Sequence, residues 1–255
     1  MAFPEPAALA AVLEDVEPNA PTACAGWTVH DIAAHLTAGA EEMADLIEEH
    51  LAGLPPRETR RFEERERPFR AMRHDELMAA MAAHSRRNVA ATRALAEQGE
   101  EGAVAFTGAS MTADLFVTHA RSEAAIHRWD IVGDDHVADE LLAQPELTRH
   151  AVAVLNAMPT LAESSRLNRA RPARRLVLRS PGEPDIVLTT GDRPRIELVE
   201  SGPAQGDGVV TTDAAHRLLV IWGRRSSTRD VTVEADPDVA EQMAAWLWPS
   251  AQPWG

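Results

Sequence analysis

The chain has 255 residues, a formal charge of −15 and a single cysteine, enough material for one large or two ordinary domains. That charge argues against nucleic acid or an anionic membrane surface as the main partner, and one cysteine excludes an internal disulfide framework or a cysteine-built zinc cluster. The start lacks a basic region ahead of an apolar core and no apolar run nears the roughly 20 residues that span a bilayer, so a cytoplasmic protein is expected.

Helical periodicity dominates the first part of the chain. Ala7–Val16 reads as a short helix and Val29–Gly53 as a long one, with Val29, Ile32, Ala33, Leu36, Ala40, Met43 and Ile47 as its apolar stripe. The entry Trp27-Thr28-Val29-His30-Asp31-Ile32 is an unusually complete helix start. Thr28 caps, Asp31 three residues on closes a capping box, and Trp27 is placed to pack on Ile32 as a hydrophobic staple. Asp31 also lies one turn before His35 and is placed to orient that imidazole, although capping is the simpler role. His35 sits on the shoulder of the stripe, where periodicity alone fits a satisfied boundary histidine better than a ligand. Cys24 reads as a small buried hydrophobe. Leu54–Pro68, charged and proline-bearing, reads as a solvated excursion. Asp75–Glu97 is a third helix, Thr112–Val132 a fourth and Pro145–Leu161 a fifth.

The fourth helix carries the chemistry. At about 100° per residue, Phe116, Ala120, Glu123, His127 and Ile131 share one face, with His119 and Asp130 at its edges, while Arg121, Ala125 and Arg128 point away. A carboxylate inside a core-facing stripe is costly unless a cation or donors compensate it. Glu123 and His127 stand one turn apart, close enough to share an ion. A divalent metal completed by a residue from another helix would compensate the charge, and so would a plain salt link to an arginine or to His127. His119, one turn earlier, is an alternative third ligand.

Near residues 164–172 the pattern turns shorter and β-branched. Arg175–Arg179, Asp185–Thr189, Arg195–Val199 and Gly208–Thr211 read as strands, followed by a helix over Asp213–Trp222 and a strand over Asp230–Glu234. Asp236 and Pro237 supply an N-cap and N1 proline for a helix ending near Trp248. The fold class is α+β multidomain. Residues 1–163 form an all-α, four-helix-type domain and residues 173–250 a small α+β domain.

Two segments, Cys24-Ala-Gly-Trp-Thr-Val-His-Asp-Ile-Ala-Ala-His-Leu36 and Glu123-Ala-Ala-Ile-His-Arg-Trp-Asp130, resemble the signatures of the mycothiol-dependent maleylpyruvate isomerase family, a branch of the DinB-like metal-binding bundles. Val209–Arg224 is similar to that family's C-terminal, sterol-carrier-like domain. The resemblance implies a divalent metal, usually taken as zinc (Zn2+), held by His35, Glu123 and His127. It also implies mycothiol, the low-molecular-weight thiol of actinobacteria, as cosubstrate. Ser122 stands where many members of that family have a polar or histidine residue beside the glutamate. Arg224 is similar to a family arginine thought to face the active cleft, although Arg225 follows it directly.

Two neutral imidazoles and one carboxylate leave such a zinc site with a net charge of +1, and a thiolate is its soft choice of anion. No cysteine is expected near the site, so the thiol must arrive with mycothiol. The expected function is therefore metal-dependent isomerisation or S-transfer on a small electrophilic substrate, with Arg224 as the catalytic arginine that pairs a substrate carboxylate. His₂Glu sites also accept Fe, Co, Ni or Mn. The competing expectation is a non-catalytic protein that binds metal and a small molecule or lipid, in which His119 closes the coordination as a fourth ligand. In either case the protein is expected to be a monomer without nucleic-acid or membrane partners.

Overall fold

Local signals set where most of the elements begin. In the computed structural model, which describes residues 3–99, 102–157, 172–191 and 194–247, the chain divides into two units, Met1–Val132 and Gly133–Gly255.

The first unit contains α1 (Pro4–Asp15), α2 (Val29–Leu51), α3 (Phe62–Arg70), α4 (His74–Ala96), the strands β1 (Ala103–Phe106) and β2 (Ala109–Thr112), and α5 (Ala113–Val132). Helix α2 packs along α3 and α4, and α1 packs on α5. The α2 start is built as the spacing predicts. The Asp31 amide donates to Thr28 Oγ1 at 3.3 Å, and the Thr28 amide donates to Asp31 Oδ2 at 2.9 Å. Met43, Leu46, Ile47, Leu95, Phe106 and Phe116 form one part of the core. Leu9, Leu13, Val29, Phe69, Leu77 and Ala124 form another. Each large side chain so buried contributes about 2 kcal/mol.

Three expectations are corrected in this unit. Leu54–Pro68 is not a solvated excursion throughout: its second half enters α3, which buries Arg65, Glu66 and Phe69. Helix α5 has no solvent face over its second half, because Arg121, Ala125 and Arg128 are buried alongside His127. Helix α1 accounts for Arg121, whose Nη2 and Nε bond at 2.8 and 3.0 Å to Glu5, itself fully buried. The β1–β2 hairpin was not anticipated. Thr107 and Gly108 both have positive φ, 48° and 90°, the backbone that a two-residue turn needs to match the twist of its strands.

The second unit holds α6 (His136–Leu142), α7 (Pro145–Ala157), β3 (Arg175–Arg179), β4 (Asp185–Thr189), β5 (Arg195–Val199), β6 (Gly208–Thr211), α8 (Ala214–Ile221), β7 (Thr232–Ala235) and α9 (Pro237–Leu247). Its five strands run in the order β5-β4-β3-β6-β7, with β3 and β6 parallel and the other neighbours antiparallel. Leu176, Val177, Leu178, Ile186, Val187 and Leu188 are all buried. Successive strand residues face opposite sides, so β3 and β4 are covered on both.

The chain is thus a helical bundle followed by a mixed-sheet α+β region. The units meet at residues 132 and 133, whereas periodicity put the end of the first domain at residue 163. Helices α6 and α7 belong with the second unit because their apolar faces pack there, α7 on β5 and both on α8. Asn156 on α7 also bonds the Ile196 backbone twice, at 2.6 and 2.9 Å. The break expected at 164–172 falls almost wholly outside the described residues, as do the expected helix ends at Leu161 and Trp248. Among the described residues no helix is long and apolar enough to cross a membrane.

Candidate metal centre

The capped start of α2 fixes the register of its first turns and so where His35, two turns in, presents its ring. Helix α5 brings Glu123 and His127 to meet it. His35 Nε2 lies 3.3 Å from Glu123 Oε2, and His127 Nε2 lies 3.6 Å from the same oxygen. One ligand atom from each of the three residues falls within 4.8 Å of the others. A tetrahedral ion bonded at about 2.0–2.1 Å to each would hold its ligands roughly 3.3 Å apart. The two separations from Glu123 are therefore close to those that a shared divalent cation requires. Side-chain exposure is 9% for His35 and 6% for His127 but 22% for Glu123, so the cluster opens toward the carboxylate. His35, Glu123 and His127 are the residues that the sequence analysis singled out, and the fold brings all three together.

Each imidazole is held from behind by a carboxylate. His35 Nδ1 lies 2.7 Å from Glu66 Oε1, and His127 Nδ1 lies 2.9 Å from Asp130 Oδ2. With Nδ1 committed in both rings, both Nε2 atoms are left for the cluster, the arrangement that orients histidine ligands and raises their basicity. Glu66 is anchored in turn by Arg70, which donates to it from Nε and Nη2 at 3.1 and 2.9 Å and reaches Asp31 at 2.5 Å. Asp31 thus caps α2 and pairs with Arg70, and the orienting carboxylate for His35 is Glu66. Trp27 lies against His35, 5.3 Å between ring centroids, with the Arg70 guanidinium over its indole.

The cysteine expectation also needs revision. Cys24 is buried, but its thiol donates to Asp130 Oδ2 at 3.2 Å, which places it directly behind His127. Cys24, His127 and Asp130 form a second compact group of metal-ligand type on the other edge of the same imidazole. The shared motif positions of Cys24 and Asp130 were the available signal, because periodicity shows only that a cysteine is small and apolar enough to bury.

Electrostatics follow from this geometry. Burial works against charge on Glu123, but hydrogen bonds with His127 and His35 outweigh it and hold the carboxyl well below the usual range. Burial also opposes a proton on His127, yet the bond to Asp130 prevails and raises that imidazole well above its ordinary value. A proton and a divalent cation compete for the same imidazole, so binding of the ion would release a proton. Burial would raise Glu66, but His35 and then Arg70 bring it below the carboxylate norm.

The remaining expected residues fall elsewhere. His119 is not part of the His35–Glu123–His127 group. Burial lowers its pKa below the ordinary imidazole value. Ser122 is fully buried beside the cluster. Arg224 belongs to the second unit, where it is buried and donates from Nη1 to the Trp222 carbonyl at 3.0 Å, while Arg225 is exposed.

Residues 4–132 match the family model of the mycothiol maleylpyruvate isomerase N-terminal domain. The chain is also similar to the crystal structure of a mycothiol-dependent maleylpyruvate isomerase, with a TM-score of 0.62 and 17% identity over 89% of this chain and 88% of that one. A histidine-to-alanine mutant of that isomerase matches with a TM-score of 0.62 and 16% identity over the same shares. At such identity the likeness speaks for the fold. No curated protein matches the sequence.

Proposed function

Since this chain belongs to the family defined by the mycothiol maleylpyruvate isomerase N-terminal domain, we propose that it is a metal-dependent enzyme that uses mycothiol for isomerisation or S-transfer on a small electrophile. The observation that carries this reading is the convergence of two Nε2 atoms on one Glu123 oxygen, each ring held from behind by its own carboxylate. Bound there, a divalent cation such as zinc would supply a Lewis-acid position that favours the thiolate over the thiol.

The chain's own groups do the rest. Glu66 and Asp130 keep both imidazoles in the tautomer that presents Nε2, and Glu123 contributes the charge that brings an ion into a largely buried site. Cys24 faces Asp130 rather than the open side of the cluster, so the reacting thiol comes from mycothiol. Thiolate addition to an activated double bond, rotation and elimination give isomerisation, and retention of the new carbon–sulfur bond gives S-transfer. Arg224, in a Trp222-Gly223-Arg224 segment that resembles the family's, is the residue we propose to pair with a substrate carboxylate.

The test is metal content, followed by the response to thiol. The purified protein should carry about one divalent ion per chain, and Glu123→Ala should lose it. Addition of mycothiol to the cobalt-substituted protein should then produce a thiolate charge-transfer band. Metal retained at full stoichiometry in Glu123→Ala, or a cobalt spectrum indifferent to thiol, overturns the reading.

A further inference from the structure

Arg65 precedes Glu66 on α3 and is only 4% exposed. Among the described residues nothing bonds to its Nε or Nη1, and both atoms are buried. Its guanidinium lies over the Phe62 ring, with Cζ 4.4 Å from the centroid. The same ring stacks on His35 at 5.6 Å with 28° between the planes. A single aromatic side chain therefore joins this guanidinium to the metal centre. Neighbouring arginines are already spent, Arg57 and Arg60 on Glu42, and Arg70 on Glu66 and Asp31.

A buried cation with unmet donors is costly, and α3 does not need it for packing. Phe69 anchors the helix in the core, and Glu66 ties it to His35. The donors that the fold leaves unmet a ligand can meet, and a guanidinium favours planar oxyanions. One guanidinium matches one carboxylate. A phosphate dianion suits the place less well, because it concentrates two charges where Glu66, Glu42 and Glu123 already act on Arg65, whereas a dicarboxylate brings one charge to the guanidinium and keeps the other apart. Phe62 reaches the surface at 40% exposure, so the ring covering the guanidinium is also the one placed to turn aside.

The geometry points to Arg65 as the residue that selects a carboxylate-bearing substrate, holding that carboxylate on Nε and Nη1 while the electrophilic carbon sits beside His35, Glu123 and His127. This inference rests on reading that cluster as the reaction centre, and it adds an anchor in the first unit to the one assigned to Arg224.

The experiment is a binding titration on the full chain with succinate, its neutral diamide and inorganic phosphate, in wild type, Arg65→Met, Glu123→Ala and the double variant. Succinate should bind wild type and Glu123→Ala, the diamide neither. Arg65→Met should weaken succinate at least about tenfold in both backgrounds, the loss expected for a charge-assisted hydrogen bond. Without ligand, Arg65→Met should melt no lower than wild type, because it removes two buried donors that have no acceptor. Arg65→Lys, which keeps the charge without the fork, should bind succinate more weakly than wild type and still reject the diamide. Equal succinate affinity in wild type and Arg65→Met, a preference for phosphate, or a marked loss of stability in Arg65→Met each overturns the assignment. Arg65-dependent binding in a protein that fails the metal test would sink the enzyme reading alone.

Discussion

Glu66 shows how much of a metal centre lies beyond the residues that would touch the ion. It lies on a different helix from both His35 and the Glu123–His127 pair, and its bond to His35 fixes which ring nitrogen is offered. Replacing Glu66 by glutamine keeps the shape and removes the charge. Metal affinity should fall by about 10–100-fold while the helical circular dichroism stays unchanged, and competition against a chromophoric chelator measures the difference. An affinity within twofold of wild type would show that His35 needs no orienting carboxylate. The three residues of the cluster were legible from a stripe position, an i, i+4 spacing and a motif likeness. Glu66 was not, because it stands in Arg-Phe-Glu-Glu-Arg-Glu-Arg67, where six of seven residues are charged and composition marks none of them as buried.

At the scale of elements, Glu42 ties α2 to the segment ahead of α3. Its carboxylate is fully buried and accepts from Arg57 Nη1 at 2.6 Å, the Arg60 amide at 2.8 Å and Arg60 Nε at 2.5 Å. Burial would raise this carboxyl, but the bond from Arg57 and then those from Arg60 leave it below its ordinary value. A carboxylate with a depressed folded pKa stabilises the fold above its unfolded value of about 4.3, and that stability is lost as pH falls through the folded value. Glu42→Gln should therefore be destabilised by about 2 kcal/mol at neutral pH. The gap from wild type should shrink in urea titrations repeated at successively lower pH. A gap that stays constant down to strongly acid conditions would mean that the Glu42 charge contributes nothing. The capping box of α2 was readable because its partners are three residues apart. The Glu42 network was not, since 15 and 18 residues separate it from its arginines.

For the whole molecule, every residue of the candidate centre, with Glu66, Cys24 and Asp130 behind it, lies in the first unit. A chain ending at Val132 is expected to keep the metal stoichiometry of the full protein and to lose whatever Arg224 contributes to turnover. Metal analysis of the purified fragment checks the first point, and thiol-dependent activity the second. A folded fragment without metal would mean that the second unit is needed to complete the site. The division itself was only partly legible. The switch from helical to β-branched patterning separates bundle from sheet, but α6 and α7 have the same amphipathic pattern as the helices before them. Which apolar surface they cover is settled only when β5 and α8 are in place.

Sequence by itself determined what depends on neighbours along the chain. It set most of the helices and strands through their periodicity, the α2 start through its cap, and the Glu123–His127 pair through one turn of helix. Tertiary structure alone decided that His35, 88 residues from Glu123, meets that pair, that Glu66 and Asp130 stand behind the two rings, and that Arg65 is buried with two donors unmet. The reason is physical. Backbone geometry relates residues a few positions apart by fixed rotations, whereas the distance between remote side chains is set by the packing of whole helices, to which the entire core contributes.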